Sequence, residues 1–156
     1  MKKIDSVIEG GSKRFDSVKN GMKKIKDADY IFIHDGVRPF VDKKLIKKLF
    51  LAAKKYGVAV PVAPLKQTLK NIRGNSFIKN TPDRKCFYEA QTPQVFRKNI
   101  LFKAYKKKPK KHITDDSSLV ESFCKRIKAV QGDYNNIKIT TREDLELAKI
   151  LLRKNK

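Results

Sequence analysis

An α/β fold is what this sequence predicts, and three observations carry the prediction. Continuous apolar runs at Tyr30-Ile31-Phe32-Ile33-His34 and Val58-Ala59-Val60-Pro61-Val62 have the length and side-chain content of strands buried on both faces. Between them Leu45, Ile46, Leu49, Phe50 and Ala53 recur at helical spacing. Near the end, Thr141-Arg142-Glu143-Asp144 has the form of a capping box, opening a helix with Leu145, Ala148, Leu151 and Leu152 on one side. Strand, helix and strand in that order suggest a parallel unit with a right-handed crossover, and 156 residues suit a single domain, 1–156, with one core.

Taken in order, Val7-Ile8-Glu9-Gly10-Gly11 reads as a strand end and a turn, followed by a weak helix from Asp16 with Val18, Met22 and Ile25 on one side. Asp35-Gly36-Val37-Arg38-Pro39 forms the loop beyond the carboxyl end of the first apolar run. Asp42 can cap the helix that follows, because its carboxylate can accept from a free amide of the first turn, and Gly57 can end it. From Pro64 to Phe96 the periodicity is poor, which predicts short extended pieces and turns away from the main sheet. Ile100, Leu101, Ala104 and Tyr105 form a helical stripe. Thr114, with Asp115 and Asp116, is placed to cap a helix carrying Leu119, Val120 and Phe123, and Ile127–Val130 and Ile137–Ile139 are further strand candidates.

The charge is strongly one-sided, with 38 Lys plus Arg against 16 Asp plus Glu for a net +22. Such an excess favours polyanions, since each phosphate neutralised releases counterions. Its distribution points elsewhere. Lys43, Lys44, Lys47, Lys48, Lys54 and Lys55 interleave with the apolar stripe, as on the solvated face of an amphipathic helix, and Lys106-Lys107-Lys108-Pro109-Lys110-Lys111 reads as a solvated loop. No aromatic ribonucleoprotein motif, zinc finger or heptad basic region accompanies them, so nucleic acid is not the expected partner. No run reaches the ~18 apolar residues of a membrane span, and Met1-Lys2-Lys3 leads into Asp5 and Glu9 without an apolar signal region, giving a soluble, cytoplasmic expectation. Cys86 and Cys124 are far apart and read as unpaired thiols, and with only His34 and His112 beside them a zinc site is not expected.

Ligands of open α/β sheets bind outside the carboxyl ends of strands, which singles out Asp35 and Arg38. A carboxylate there can hold a metal ion or a ribose hydroxyl, and a guanidinium can clamp a phosphate, although a salt bridge that merely orders the loop accounts for the spacing as well. Lys138 points opposite to Ile137 and Ile139, either as a solvated lysine or as an ammonium that neutralises a transferring phosphoryl group. His34 reads as a packed core residue, Thr114 as a helix cap near a possible anion site, and Asp83-Arg84 as a turn pair.

Seven blocks of the chain, in order and spacing, resemble the 2-C-methyl-D-erythritol 4-phosphate cytidylyltransferase family. They are Gly10–Val18, His34–Phe40, Pro64–Lys70, Asp83-Arg84, Ala90–Phe96, Thr114–Asp116 and Asn136–Thr141. The resemblance implies a Rossmann-like nucleotidyltransferase fold, glycosyltransferase-A-like, with a mixed sheet and a protruding β-arm. It also implies attack of a sugar-alcohol phosphate on the α-phosphorus of CTP with Mg²⁺ and release of pyrophosphate. Carried over by motif, Asp35 serves the metal and the nucleotide, with Gly36 and Ser17 lining the cytidine pocket. Arg38, Thr68, Thr114 and Thr140 hold the methylerythritol phosphate, and Lys138 and Arg84 act on the reacting phosphate. Residues 66–92 correspond to an arm that swaps across a homodimer and brings Thr68 and Arg84 to the neighbour's site.

The family opens with a strand and an Ala-Ala-Gly-x-Gly-x-Arg loop followed by a lysine, which cradle the triphosphate; nothing in this sequence resembles either. The expectation is therefore a partial domain, lacking the amino-terminal CTP loop, with an open edge at Tyr30–Ile33. Gln67 stands where the family usually has Asp, and Ser12 where an acidic residue is common. Two alternatives accompany this reading. One is a pentitol-phosphate cytidylyltransferase, toward which Val37 leans while Gly57–Leu65 and Thr81-Pro82-Asp83-Arg84 favour methylerythritol phosphate. The other is an inactive fragment that binds a companion chain or, nonspecifically, nucleic acid.

Overall fold

A computed structural model describes residues 4–74, 76–107, 113–124 and 126–154. Met1-Lys2-Lys3, His112 and residues 108–111 of the lysine run lie outside the described residues. The elements follow as α1 (Arg14–Met22), β1 (Tyr30–Ile33), α2 (Lys43–Tyr56), β2 (Val58–Pro64), β3 (Asn71–Arg73), β4 (Phe77–Asn80), β5 (Tyr88–Ala90), β6 (Gln94–Arg97), α3 (Lys98–Lys106), α4 (Asp116–Glu121), β7 (Lys128–Gln131) and α5 (Arg142–Lys154).

β2 organises the main sheet. On one side it pairs antiparallel with β6 at Val58↔Phe96 and Ala59↔Val95, then with β5 from Val62↔Ala90 to Pro64↔Tyr88. On the other it pairs parallel with β7, from Ala59↔Lys128 to Val62↔Gln131. β6 also pairs antiparallel with β1, so β1, β2 and β7 run one way and β6 runs against them. The expected strand–helix–strand unit is thus parallel in direction, but β6 lies between its two strands.

Helices cover both faces. Leu45, Leu49 and Ala53 of α2 pack on Ala59 and Val95, while Met22, Leu101, Ala104, Tyr105, Leu119 and Val120 of α1, α3 and α4 pack on Ile31, Val58, Val60 and Phe96. The α2 stripe at i, i+4 and i+8 is buried and its lysines face solvent, as the spacing requires. Asp42 caps α2 by accepting from the Leu45 amide at 2.5 Å. Gly57 ends it at φ +88°, where an added Cβ would lie 2.7 Å from Ile100 Cδ1.

Several expectations are corrected. β1 is not buried on both faces: it has one neighbouring strand among the described residues, and Phe32 is exposed beside Phe50. No strand pairs with its other edge among the described residues, as expected for Tyr30–Ile33. Val7 and Ile8 form no strand, with no partner strand beside them among the described residues and Val7 in solvent. Ile137–Ile139 also forms no strand, its one ladder-like bond running from the Ile139 amide to the Val37 carbonyl. The cap of α4 is Asp115, which accepts from the Ser118 amide, and not Thr114, which precedes the cap and is exposed. In α5 only Ala148 of the predicted stripe is buried, and Leu145 and Leu152 remain exposed. Gln91–Phe96, inside the poorly periodic stretch, is buried throughout.

The chain leaves the main sheet after Pro64 and rejoins it at Tyr88. Between these points β3 and β4 pair with each other as a separate two-stranded sheet whose strand residues are all exposed.

Candidate functional site

Three cations converge on one carboxylate just beyond the carboxyl end of β1. Asp35 Oδ1 lies 3.6 Å from Arg14, and Oδ2 lies 3.5 Å from both Arg38 Nε and Lys138 Nζ. Each cation comes from a different part of the chain: the first turn of α1, the loop after β1, and the irregular segment before α5. The Asp35 side chain is 16% exposed, so these charges act on each other with less screening than surface pairs.

The buried Thr92 side chain holds this loop in place, and its neighbours Gln91 and Gln94 hold two adjoining segments. The Thr92 hydroxyl accepts from the Asp35 amide at 3.0 Å and lies 2.9 Å from His34 Nδ1. His34 Nε2 is 3.0 Å from the Arg38 carbonyl, which can only accept, so a neutral ring carries its proton on Nε2 and Thr92 donates to Nδ1. His34 is therefore an exposed bracket across the loop, correcting its reading as a core residue: it sits past the end of β1, and both ring nitrogens have partners. Gln91 exchanges bonds with Asp133, donating to its carbonyl and accepting from its amide. Gln94 donates to the Asp115 carboxylate and accepts from the Ser117 amide, fixing the start of α4. Bonds from Ser117, Gln94 and Ser118 outweigh burial at Asp115 and hold its carboxyl below the ordinary range.

Asn136 supports the far wall. Fully buried, it donates to the Thr92 carbonyl at 2.8 Å, and its own carbonyl accepts from Arg38 Nη1 at 2.7 Å. Among the described residues, Arg38 Nε and Asn136 Oδ1 are buried here without a hydrogen-bond partner. Arg38 Nε faces Asp35 Oδ2 at 3.5 Å as an ion pair without a hydrogen bond, so what this site offers an anion is the convergence of the three cations.

Behind the cluster, Arg14 Nη2 lies 2.6 Å from Asp116 Oδ2, and Asp116 Oδ1 accepts the Tyr105 hydroxyl at 2.5 Å. Burial works against the Arg14 charge, but the Asp116 bond and the charges of Asp116 and Asp35 outweigh it and raise its pKa. Burial and then the Asp116 charge drive the Tyr105 phenol far above its ordinary value. Three cations against two carboxylates leave the whole constellation with one positive charge in excess.

The family model described as IspD, 2-C-methyl-D-erythritol 4-phosphate cytidylyltransferase, matches residues 2–154. The chain belongs to this family. A 2-C-methyl-D-erythritol 4-phosphate cytidylyltransferase of Caldanaerobacter subterraneus subsp. tengcongensis is 44% identical over 151 residues, covering 95% of this chain and 66% of that protein. The crystal structure of 4-diphosphocytidyl-2C-methyl-D-erythritol synthase from Anaerococcus prevotii superposes with a TM-score of 0.86 at 36% identity, covering 92% of this chain and 66% of that one. The 2-C-methyl-D-erythritol 4-phosphate cytidylyltransferase of Thermus thermophilus gives 0.83 at 33% identity, covering 93% and 71%. The chain thus spans about two thirds of the length of the relatives it matches. The mixed α/β sheet agrees with these cytidylyltransferase structures, and the relatives' names do not favour the pentitol-phosphate alternative. No described helix is long and apolar enough to cross a membrane.

Of the residues that the cytidylyltransferase resemblance singled out, the structure brings Asp35, Arg38 and Lys138 together. Gly36 lies in the same loop, where an added Cβ would meet nothing within 4 Å. The Ser17 hydroxyl accepts from the Gly11 amide at 3.0 Å and so ties the glycine turn to α1. The Thr140 hydroxyl donates to Asp144 at 2.9 Å within the capping box of α5, while Thr114 is exposed before α4. Arg84 donates to the Lys66 carbonyl, and no hydrogen bond or ion pair among the described residues joins Thr68 or Arg84 to the Asp35 cluster. Sequence reasoning missed Thr92 and Asn136 in the site and Arg14, Tyr105 and Asp116 behind it. Arg14, Thr92, Asp116 and Asn136 fall in the resembling blocks, and that is the one signal that pointed to them.

Proposed function

We propose that the Asp35 cluster takes part in cytidylyl transfer from CTP to 2-C-methyl-D-erythritol 4-phosphate. An oxygen of the sugar-alcohol phosphate forms a bond to the α-phosphorus of CTP, the bond between α-phosphorus and the bridging oxygen breaks, and pyrophosphate leaves. The observation that carries the reading is the convergence of Arg14, Arg38 and Lys138 just beyond the carboxyl end of β1, within a family of cytidylyltransferases. Fixed cations spread the negative charge that develops on the transferring group and need no reorganisation during the step. Lys138 and Arg84 are assigned to that charge, Arg38, Thr68, Thr114 and Thr140 to the methylerythritol phosphate, and Asp35, Gly36 and Ser17 to the nucleotide.

Magnesium is proposed here as an ion shared between Asp35 and the phosphates of the substrate. Among the described residues no three His, Cys, Asp or Glu groups gather to cage a metal, but Mg²⁺ is commonly bound through one carboxylate with phosphate oxygens and waters completing its shell. Asp35 supplies that carboxylate. The ion would add positive charge at the triphosphate.

The arm is proposed to join two copies of the chain, so that Thr68 and Arg84 serve the partner's site. In support, Ile72, Phe77 and Ile78 stand 52%, 77% and 61% exposed on β3 and β4, an apolar surface of the kind that marks an interface. The cytoplasm is proposed as the compartment in which the enzyme works.

The test is pyrophosphate release from CTP and Mg²⁺, with and without methylerythritol phosphate. Release that requires the sugar phosphate and falls on the order of 100-fold or more in Lys138→Ala is expected. A folded, dimeric sample that releases none, or one that prefers ribitol phosphate, overturns the assignment.

A further inference from the structure

We propose that Asp116 and Tyr105 are positioning residues that hold the Arg14 guanidinium at the nucleotide side of the site, an inference resting on the function proposed above. Asp116 touches no ligand space of its own. Its side chain is fully buried, one oxygen is filled by Arg14 at 2.6 Å, and the other accepts the Tyr105 hydroxyl at 2.5 Å. Whatever Asp116 does, it does through these two groups.

The geometry shows which carboxylate fixes Arg14. The contact to Asp116 is 2.6 Å and that to Asp35 is 3.6 Å, so the first is a charge-assisted hydrogen bond and the second an ion pair without one. Asp116 is itself fixed. It opens α4 directly after the Asp115 cap, and Gln94 of β6 holds Asp115 and the Ser117 amide. The Tyr105 ring stacks on Phe15 with centroids 4.7 Å apart and planes 10° apart, locking the phenol that closes the second oxygen.

This leaves Arg14 restrained but not consumed. Its side chain is 35% exposed, and its only hydrogen bond among the described residues is the one to Asp116, whereas a guanidinium carries five donors in a planar fork. Arg14 precedes Ser17 in the first turns of α1 and faces Asp35, the two residues assigned to the nucleotide. The free donors are therefore assigned to the phosphates of CTP.

The test measures kcat and both KM values by pyrophosphate release from the full chain, alongside the Nε–Hε NMR signal of Arg14. In Asp116→Asn, the KM for CTP is expected to rise about 10-fold while that for methylerythritol phosphate moves less than about twofold. Tyr105→Phe should move the CTP value in the same direction by less, Asp116→Glu should restore part of it, and Asp116→Asn should add nothing in the Arg14→Ala background. The Arg14 signal, resolved in the wild type, should merge with those of free arginines in Asp116→Asn. If Asp116→Asn does not fold, Tyr105→Phe must show the CTP-specific shift. An Arg14 signal unchanged in the variants, equal changes in both KM values, or an undiminished Asp116→Asn effect without Arg14 overturns the proposal. A wild-type chain that releases no pyrophosphate, yet whose Arg14 signal responds as described, sinks the proposed reaction while supporting the brace.

Discussion

Tyr105→Phe removes one oxygen and leaves the ring in its stack with Phe15, so its effect isolates the hydroxyl given to Asp116. Tyr105 is 4% exposed and its acceptor is a buried charge. A hydrogen bond to a charged group contributes about 1.5–3 kcal/mol, a sizeable part of the ~5–15 kcal/mol by which a domain is stable. The pH dependence supplies a second, independent check. In the folded protein burial, then the Asp116 charge, keeps the phenol protonated well past the ordinary value. In the unfolded chain it ionises near pH ~10. A folded-state pKa raised above the unfolded one gives a contribution that is complete below about pH 10 and lost as pH rises, here by up to ~1.4 kcal/mol per unit. Urea unfolding at about pH 7, 9 and 11 should show the wild type ahead by about 1.5–3 kcal/mol at the two lower values, with the gap smaller by about 1.4 kcal/mol at the highest. Lysine titration is common to both proteins and cancels in the difference. A gap below about 0.5 kcal/mol near neutral pH, or one unchanged at the highest pH, refutes the reasoning.

Two further outcomes follow from features outside the site. Asp42→Ala strips the bond to the Leu45 amide and should cost about 1 kcal/mol, measured as a lower urea midpoint with an unchanged slope; a loss larger than about 2 kcal/mol would mean that Asp42 does more than cap α2. Phe77→Asp with Ile78→Asp places two charges on the exposed hairpin and should convert a dimer to a monomer in sedimentation analysis while circular dichroism shows the fold retained. A dimer that survives both changes excludes β3 and β4 as its contact.

Local signals were legible in this chain and long-range ones were not. Asp42 and Gly57 could be read because a cap needs only its neighbours within a turn. β6 could not: Gln94 is polar and Pro93 interrupts the run, and what buries them is pairing with β1 and β2 from more than thirty residues away. The amides of Gln91 and Gln94 act as brackets between segments, a role with no local pattern. At Thr114-Asp115-Asp116 the composition announced a helix start but not which oxygen would cap it. Ile137–Ile139 alternates like a strand, yet a strand needs a partner, and the Val37 carbonyl alone meets it.

The site divides along the same line. Asp35 and Arg38 were visible because they follow a strand that could be recognised, and Lys138 because it stands between two isoleucines in a resembling block. The Arg14–Asp116 pair joins residues 102 apart in sequence, and neither has a local pattern suggesting the other. The +22 charge was no guide to either group, since the lysines of α2 face solvent while Arg14, Arg38 and Lys138 are defined by what surrounds them. What marks the candidate site is a local excess of one positive charge and a buried frame of amides and hydroxyls that fixes the Asp35 loop and Arg38. A random draw from a lysine-rich surface supplies the charge but not the frame.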